Sequence, residues 1–324
     1  MSKVFDVVLL LALPASGKSE VRNFMAHMDP DVLAKDFHIG QTLQLDDFPY
    51  VFLMDRIDGE LAKMGHEPLF RSPTGSLGNG VLIKLLNQDY YSLVSDDRTR
   101  PESYAKLMFE RFDKACEEVG DSTRTTSLEP EVREKVMAAV EEDCRHQFEE
   151  RLSFYPDDSV IEGKTIMIEM ARGGSDGASM PLQDPFGYQY SLRQFCPEIL
   201  EKASILYIWV TPEESRRKNF DRADPNDPGS ILNHGVPLDV MLREYGCDDM
   251  LYLKETSEVE DTVTVKAYGN SYHLPLGIFD NRIDKTTPFR SKPEFWKEEQ
   301  IAEVTEGIKQ ATDTMYRNYR KLQG

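Results

Sequence analysis

Cysteine is scarce in this sequence, and its pattern argues against a disulfide-stapled fold. The four cysteines lie far apart and form no CxxC pair: Cys116, Cys144, Cys196 and Cys247. In a chain of 324 residues, scattered cysteines are typical of reduced core residues in a cytosolic protein. The six histidines likewise lack the spacing of metal ligands, so the sequence predicts no metal site built on histidine.

Positive charge is also in short supply. The chain has 38 Lys and Arg residues against 57 Asp and Glu residues, which gives a net charge of −19. Nucleic-acid backbones and anionic lipid surfaces would be repelled, so we expect no nucleic-acid partner and no membrane partner. A nucleotide is not excluded, because a few backbone amides and a few cations are enough to bind it locally.

Long hydrophobic runs are absent as well. No run approaches the roughly 20 apolar residues of a membrane span. The apolar run Val7–Leu11 lacks a preceding basic region and a small-residue cleavage site, so it predicts a buried strand rather than a signal peptide. We therefore expect a soluble, cytoplasmic protein.

A glycine-lysine-serine motif follows that apolar run directly. Residues 12–19 read ALPASGKS, which has the spacing of the P-loop G-x-x-x-x-G-K-[ST], with Ala12 in place of the first glycine. A strand pattern precedes the motif and a helical pattern from Glu20 to His27 follows it, which is the context that the motif requires. A chance match is the alternative, and this context argues against it.

Each residue type in the motif suits the binding of phosphate groups. Gly17 lets the backbone curl so that successive N–H groups point at phosphate oxygens. The Lys18 ammonium can reach the outer phosphates, and the Ser19 hydroxyl can ligate Mg²⁺. The motif therefore predicts a nucleoside triphosphate site with ATP and Mg²⁺ as cofactors. Eight consecutive residues would form it: Leu13, Pro14, Ala15, Ser16, Gly17, Lys18, Ser19 and Glu20.

Strand and helix patterns alternate along the rest of the chain. Asp29-Pro30 is predicted to break the chain after the first helix. The order β-α-β-(helical insertion)-β-α-β-α-β-α predicts one doubly wound α/β domain over residues 1–324, with a helical insertion at about 51–158. Further strands are predicted at residues 37–45, 164–170, 205–210, 262–267 and 272–279.

Several of these features together resemble the P-loop kinases of small molecules, the nucleoside and nucleotide kinase-like group. Within that group the chain is most similar to the uridine kinase and phosphoribulokinase branch. The resemblance covers the core strands but not residues 51–158 or 229–272. It implies a P-loop NTPase three-layer sandwich with a mainly parallel sheet. The residues that carry it are Ala12–Ser19, Asp46-Asp47-Phe48 with Tyr50, Glu169, Arg216, Arg217 and Arg222.

The resemblance implies a catalytic base after the second strand. In that branch an aspartate of a D-x-F-Y motif removes the proton from the acceptor hydroxyl, and Asp46 matches it by position. A base is also expected at the carboxyl edge of the sheet, where open α/β sheets bind ligands. This sequence reads D-D-F-P-Y, so the choice between Asp46 and Asp47 and the role of Tyr50 stay open. An N-cap for a helix beginning at Val51 is the alternative. Asp47 and Arg56 are also assigned to acceptor binding.

Two charged residues near the end of the third strand are further candidates. Glu169 follows apolar strand residues, where a Walker-B carboxylate would hold Mg²⁺ next to Ser19. The alternative is a solvent-facing strand end. Arg172 would hold an anionic group of the acceptor, or would simply pair with an exposed carboxylate.

The resemblance also assigns residues after the fourth and last strands. Arg216, Arg217 and Arg222 match lid arginines, which neutralise charge on the transferring phosphoryl group. A solvated basic helix face, paired with Glu213 or Glu214, is the alternative. Asn281 matches the beginning of the loop that holds the nucleotide base, and an Asx turn is equally compatible.

These expectations predict an ATP- and Mg²⁺-dependent kinase. The acceptor would be a hydroxyl or phosphate of a small molecule, such as a nucleoside, nucleotide or sugar. The alternatives are an ATP-hydrolysing switch or sensor acting on a protein partner, and a nucleotide-binding scaffold without turnover. No N-K-x-D motif occurs, which counts against a GTPase switch. The sequence predicts neither the acceptor's identity nor the oligomeric state.

Overall fold

Six strands form one mixed, mostly parallel sheet. The computed structural model describes residues 4–71, 78–222 and 235–323. The strands are β1 (Val7–Leu11), β2 (Gln41–Asp46), β3 (Lys164–Met170), β4 (Ala203–Trp209), β5 (Thr262–Ala267) and β6 (Asn270–Asp280). Their order is β2-β3-β1-β4-β6-β5. β1 runs parallel to β3 and β4, β4 runs parallel to β6, and only the β5–β6 pair is shown to be antiparallel among these described pairings. The prediction of an α/β chain with a mainly parallel sheet is confirmed.

Twelve α-helices lie in the described ranges. They are α1 (Lys18–Ala26), α2 (Pro30–Asp36), α3 (Phe48–Lys63), α4 (Asn79–Val94), α5 (Tyr104–Val119), α6 (Pro130–Ser153), α7 (Gly187–Leu192), α8 (Pro197–Leu200), α9 (Pro212–Arg222), α10 (Leu238–Glu244), α11 (Met250–Glu255) and α12 (Glu298–Gln323). None of the helices in these ranges is long and apolar enough to cross a membrane. The four cysteines all lie in the described ranges and none forms a disulfide.

The sheet is stabilised by apolar side chains on helices that pack against its strands. All five residues of β1 are buried, as is typical of a central parallel strand whose sheet faces are covered by helices. Val8 and Leu10 share a core cluster with residues of α1 and α12. On α12 the cluster residues recur every three or four positions, which is the spacing of one helix face. Burying each large apolar side chain contributes roughly 1.5–3 kcal/mol.

The chain forms two compact units. Unit 1 comprises the described residues of Met1–Thr42, Glu162–Arg193 and Pro197–Gly324, and unit 2 those of Leu43–Ile161 with Gln194–Cys196. Unit 2 contains α3, α4, α5 and α6, which share an apolar core of their own. The helical insertion predicted at about 51–158 falls within unit 2.

The chain leaves unit 1 and returns to it at neighbouring points. The Gly40 N–H donates to Thr165 Oγ1 at 2.9 Å. A Cβ atom on Gly40 would lie only 2.3 Å from the carbonyl oxygen of Gly163. Glycine is required at Gly40 because the two backbone segments that flank unit 2 touch there.

Asp29-Pro30, which the sequence predicted to break the chain, begins a helix, while the preceding helix has already ended at Ala26. The Asp29 carboxylate accepts hydrogen bonds from the N–H groups of Asp31 at 2.9 Å and Val32 at 3.2 Å, which caps α2. Pro30 is tolerated because the first N–H of a helix has no intrahelical partner. The predicted strand 37–45 therefore begins only at Gln41, after this unpredicted helix.

Candidate functional site

The backbone between β1 and α1, residues 12–17 (the 12–17 loop), is curled by two residues with positive φ. Ala15 has φ 55° and Gly17 has φ 106°. Left-handed residues that alternate with ordinary ones turn successive N–H groups to one side and make a concave, anion-binding arrangement. Helix α1 begins directly afterwards at Lys18, so its positive end faces the same region.

The carbonyl groups of the loop are held by buried side chains. Three of them accept hydrogen bonds in alternation along the chain: Ala12 O from Tyr188 Oη at 3.0 Å, Pro14 O from Ser215 Oγ at 2.7 Å, and Ser16 O from Asn281 Nδ2 at 2.7 Å. In a planar trans peptide the next N–H points away from the carbonyl oxygen. The N–H groups that follow these carbonyls therefore point away from the supporting side chains.

Three consecutive N–H groups of the loop have no protein partner in the described ranges. The backbone N–H groups of Ala15, Ser16 and Gly17 donate to no other residue that the structure describes. Buried N–H groups are nearly always bonded in folded proteins. An anion with several acceptor oxygens is the kind of ligand that this backbone suits.

Gly17 packs against Thr286 without room for a side chain. A Cβ atom at Gly17 would lie 2.3 Å from Thr286 Oγ1 and 3.1 Å from Asn281 Nδ2. Its φ of 106° would also strain any other residue. The glycine of the motif is therefore required twice, by the backbone conformation and by this close contact.

We expect Gly17→Ala to lower the free energy of unfolding by about 1–3 kcal/mol, the cost of a strained backbone and a displaced neighbour. Urea denaturation followed by circular dichroism measures this. Gly59→Ala is the matched control, because Gly59 lies in helix α3 with open space around its Cα. It should stabilise the protein by about 0.5–1 kcal/mol. Equal stabilities for the two variants would contradict the contact at Gly17.

A polar network lies next to Gly17. It consists of Thr286 and the three residues around it, Lys218, Asn281 and Asp284. Lys218 is 1% exposed, and its Nζ donates to Asp284 Oδ1 at 2.7 Å and to Thr286 Oγ1 at 2.9 Å. Asn281 Nδ2 also donates to Thr286 Oγ1, at 3.0 Å. Burial alone would raise the pKa of Asp284, but hydrogen bonds from Lys218 and Thr287 outweigh it and lower this pKa well below its usual range.

Asn281 is fully buried and supports the loop. Besides its contact with Ser16 O, its Oδ1 accepts from the N–H of Lys285 at 2.8 Å. The Asx turn that the sequence allowed is formed by Asp280, whose Oδ1 accepts from the N–H of Arg282 at 3.1 Å. A contact of Asn281 with a nucleotide base stays a prediction.

Lys18, Ser19 and Glu20 begin α1 beside the loop. Lys18 is mostly buried, and its Nζ lies 3.4 Å from the carbonyl oxygen of Leu13. Ser19 is exposed. The Glu20 carboxylate accepts from Arg290 Nε at 2.5 Å, so this predicted nucleotide-binding residue is engaged in an ion pair.

Glu169 lies on β3 beside Leu10 of β1 and is largely buried, rather than being a solvent-facing strand end. Its Oε2 accepts from Arg22 NH1 at 2.6 Å. Arg22 is three positions after Ser19 and so shares a face of α1 with it. No group of three or more His, Cys, Asp or Glu side chains in the described ranges could hold a metal ion. A magnesium site that combines one carboxylate and one hydroxyl with phosphate oxygens and water needs no such group.

Arg172 is buried and connected to the loop through Tyr188. Its backbone N–H donates to Tyr188 Oη at 3.3 Å, and Tyr188 in turn donates to Ala12 O. The Asp249 carboxylate holds the backbone of Tyr188 by accepting its N–H at 2.6 Å. Burial raises the pKa of Asp249. Arg172 is 2% exposed, and binding of an anionic group of the acceptor by Arg172 stays a prediction.

The predicted lid arginines lie on α9 and are paired with neighbouring carboxylates. Arg216 NH2 donates to Glu213 at 3.3 Å and its NH1 lies 3.6 Å from Asp176. Arg217 donates to Glu214 at 2.6 Å. These are the pairs that a solvated helix face would make, and a lid role stays a prediction. Arg222 ends α9, and its side chain is outside the described residues.

The two candidate bases lie in unit 2, where β2 ends and α3 begins. Helix α3 begins at Phe48, so the predicted helix start at Val51 was three residues late. Asp46 Oδ1 accepts from the N–H of Phe48 at 2.9 Å. Asp47 occupies the N-cap position but makes no side-chain capping bond. Pro49 is accommodated because it falls in the first turn of the helix.

Tyr50 and Arg56 are engaged inside unit 2. The Tyr50 hydroxyl donates to Asp89 Oδ2 in a short hydrogen bond. Arg56 Nε donates to Asp143 at 2.9 Å and its NH1 lies 3.3 Å from Glu60. The hydrogen bond to Asp143 raises the pKa of Arg56. Acceptor binding by Arg56 stays a prediction.

Three of the predicted site residues outside the motif are connected to the 12–17 loop or to α1 within unit 1. Glu169 reaches α1 through Arg22, Arg172 reaches Ala12 through Tyr188, and Asn281 contacts Ser16 directly. A comparison with known protein families and a search of curated proteins both find no match to this chain.

Proposed function

We propose that this chain is a P-loop kinase that binds ATP at the 12–17 loop and transfers its γ-phosphoryl group to a small molecule. The observation that carries the proposal is the division of polar groups in the loop. Its carbonyls are bonded to Tyr188, Ser215 and Asn281, while the N–H groups of residues 15–17 have no partner in the described ranges. A polyphosphate supplies the acceptor oxygens that these N–H groups need.

The place of the loop in the sheet supports the same proposal. The loop begins at the carboxyl end of β1. The next two strands in the sequence, β2 and β3, lie on one side of β1, and β4 lies on the other side. The strand order therefore reverses at β1. Open α/β sheets bind ligands at such a reversal. A doubly wound three-layer P-loop sandwich is the fold that we propose on this basis.

Three residues fit the cofactors. Lys18 stands at the first turn of α1, where its ammonium would contact the outer phosphates. The exposed Ser19 hydroxyl and the Glu169 carboxylate would hold Mg²⁺, directly or through water. When bound, Mg²⁺ supplies positive charge to the phosphate oxygens. The ion pair with Arg22 fixes the orientation of Glu169.

The acceptor hydroxyl needs a base, and Asp46 and Asp47 are the residues that we propose for it. The hydrogen bond from the Phe48 N–H holds one oxygen of Asp46 in place. Asp47 is 7% exposed and follows Asp46 directly, at the N-cap position of α3. A base has to be positioned near the hydroxyl whose proton it removes, and the bond from the Phe48 N–H positions Asp46 in this way.

We expect label from γ-labelled ATP to enter a small molecule only when the protein, Mg²⁺ and a protein-free metabolite extract are all present. The labelled product would then identify the acceptor by mass. Protein without extract and extract without protein are the controls. Label released as free phosphate, at one rate with or without extract, would contradict the kinase and favour an ATP-hydrolysing switch on a protein partner.

A further inference from the structure

Helix α9 carries two buried polar residues one turn apart, of which the first contacts the 12–17 loop directly and the second reaches it through Thr286. Ser215 is 0% exposed and donates to Pro14 O at 2.7 Å. Lys218, three positions later, lies on the same face of the helix and is 1% exposed. The arginines Arg216 and Arg217 between them are more exposed and pair with carboxylates. One face of α9 therefore supports the loop, and Lys218 is the charged residue on that face.

The Lys218 ammonium is connected to Gly17 through one hydroxyl group. Its hydrogen bond to Thr286 Oγ1, 2.9 Å long, fixes the oxygen that lies against Gly17. Asn281 donates to the same oxygen at 3.0 Å and to Ser16 O at 2.7 Å. Hydrogen bonds therefore connect Lys218 to Thr286, which lies against Gly17. They continue from Thr286 to Asn281, which donates to Ser16 O.

Stability alone is a poor reason for a lysine at this place. Removing an ammonium from water is costly, and its pairing with Asp284 offsets that cost only in part, so apolar residues of similar volume often serve stability as well or better. A buried charge with fixed partners is better suited to holding a particular geometry. Here the geometry that it holds is the position of Thr286 against the loop.

We propose that Lys218 is a positioning residue for the phosphate site. It fixes Thr286 against Gly17 and so keeps the N–H groups of residues 15–17 directed at one anion. The inference rests on the proposed nucleotide site, and it adds a residue that the charge pattern of α9 did not single out. Lys218 itself would touch no part of the nucleotide.

The test is the affinity of Lys218→Met for ATP and for tripolyphosphate, measured by titration calorimetry and by the ligand-induced rise in Tm. We expect both affinities to fall about 10- to 100-fold, by analogy with the loss found when the residues that orient metal ligands are removed. The rise in Tm is taken relative to the ligand-free Tm of the same variant. A purely structural lysine would lower the ligand-free Tm and leave the ligand-induced rise unchanged.

Two further variants complete the test. Thr286→Val keeps the shape of Thr286 but removes the oxygen that Lys218 and Asn281 hold, and it should weaken both ligands in the same way. It decides the matter if Lys218→Met does not fold. Lys309→Met is the matched control, because Lys309 pairs with Asp313 at 3.1 Å on α12 and has no bond to this network. Its ligand affinities should equal those of the unaltered protein.

These measurements distinguish a failure of the positioning role from a failure of the proposed nucleotide site. Unaltered affinity in both Lys218→Met and Thr286→Val would overturn the positioning role and leave the nucleotide site standing. An unaltered protein that binds neither ATP nor tripolyphosphate would overturn the proposed function itself.

Discussion

Lys18→Ala should lower the rate of phosphoryl transfer by about 10²- to 10³-fold, the usual cost of removing one group that stabilises transition-state charge. Lys18 is the first residue of α1 and follows directly on the 12–17 loop. Its ammonium is the charged group closest in sequence to the N–H groups of residues 15–17. The chain as a whole carries a net charge of −19, so a local cation has a large influence on a polyphosphate.

Initial rates with γ-labelled ATP and the identified acceptor measure this effect. Lys35→Ala is the control, because Lys35 is an exposed lysine of α2 in the same unit. Lys18→Arg keeps the charge but replaces a point charge by a planar fork, so it should recover little of the rate. Transfer by Lys18→Ala at the rate of the Lys35→Ala control would show that the chemistry occurs elsewhere.

Asp89→Asn should lower the free energy of unfolding by about 3–5 kcal/mol, because it leaves two arginines in unit 2 without their shared counter-charge. Asp89 is 3% exposed. Its Oδ1 accepts from Arg111 NH2 and from Arg151 NH1, both at 2.7 Å. Its Oδ2 accepts from the Tyr50 hydroxyl. An amide in this place keeps the shape but cannot neutralise either guanidinium group.

The stability difference should also depend on pH. Burial raises the pKa of Asp89, but the charges of Arg111 and Arg151 outweigh burial and lower it overall. A carboxylate with a lowered folded-state pKa contributes stability above its unfolded pKa of about 3.9 and loses it as pH falls through the folded value. The unaltered protein should therefore lose its advantage over Asp89→Asn progressively below about pH 4.

Urea denaturation followed by circular dichroism at pH 7 and at lower pH measures both effects. Glu149→Gln is the matched control, since Glu149 pairs with Arg100 on the surface, at 2.9 Å, and both side chains are more than a third exposed. It should cost less than about 1 kcal/mol. Equal costs for Asp89→Asn and Glu149→Gln at pH 7 would show that the buried cluster does not hold unit 2 together.

The strands are the part of the fold that the local sequence predicts best. The predicted bounds of β3 and β5 match the structure, because a strand within a mainly parallel sheet is a short run of apolar or alternating residues whatever lies around it. Helix α2 was missed because Asp-Pro both ends and begins helices, and the local pattern does not distinguish them. The start of α3 was placed late for the same reason, since Pro49 lies inside its first turn.

The site could be predicted only where its residues are adjacent in the sequence. Residues 12–19 carry their signal in one short motif. Tyr188, Ser215 and Thr286 carry none, because each contacts the loop from a place at least 170 positions further along the chain, as the 3.0 Å bond from Tyr188 to Ala12 shows. On α9 the charge pattern favoured the arginines, whereas burial distinguishes Lys218. Burial of a single lysine depends on neighbours that a lone sequence does not reveal.

The contact of Gly40 with Gly163 has a consequence for the order of folding. β1 and β3 are parallel neighbours, yet the whole of unit 2 lies between them in the chain. Pairing them from an extended chain would require closing a very long loop, and the entropy of closure rises with loop length. The helices of unit 2 make mainly local contacts and form faster. We therefore expect the insertion to fold first, which shortens the loop that must close before β1 and β3 can pair.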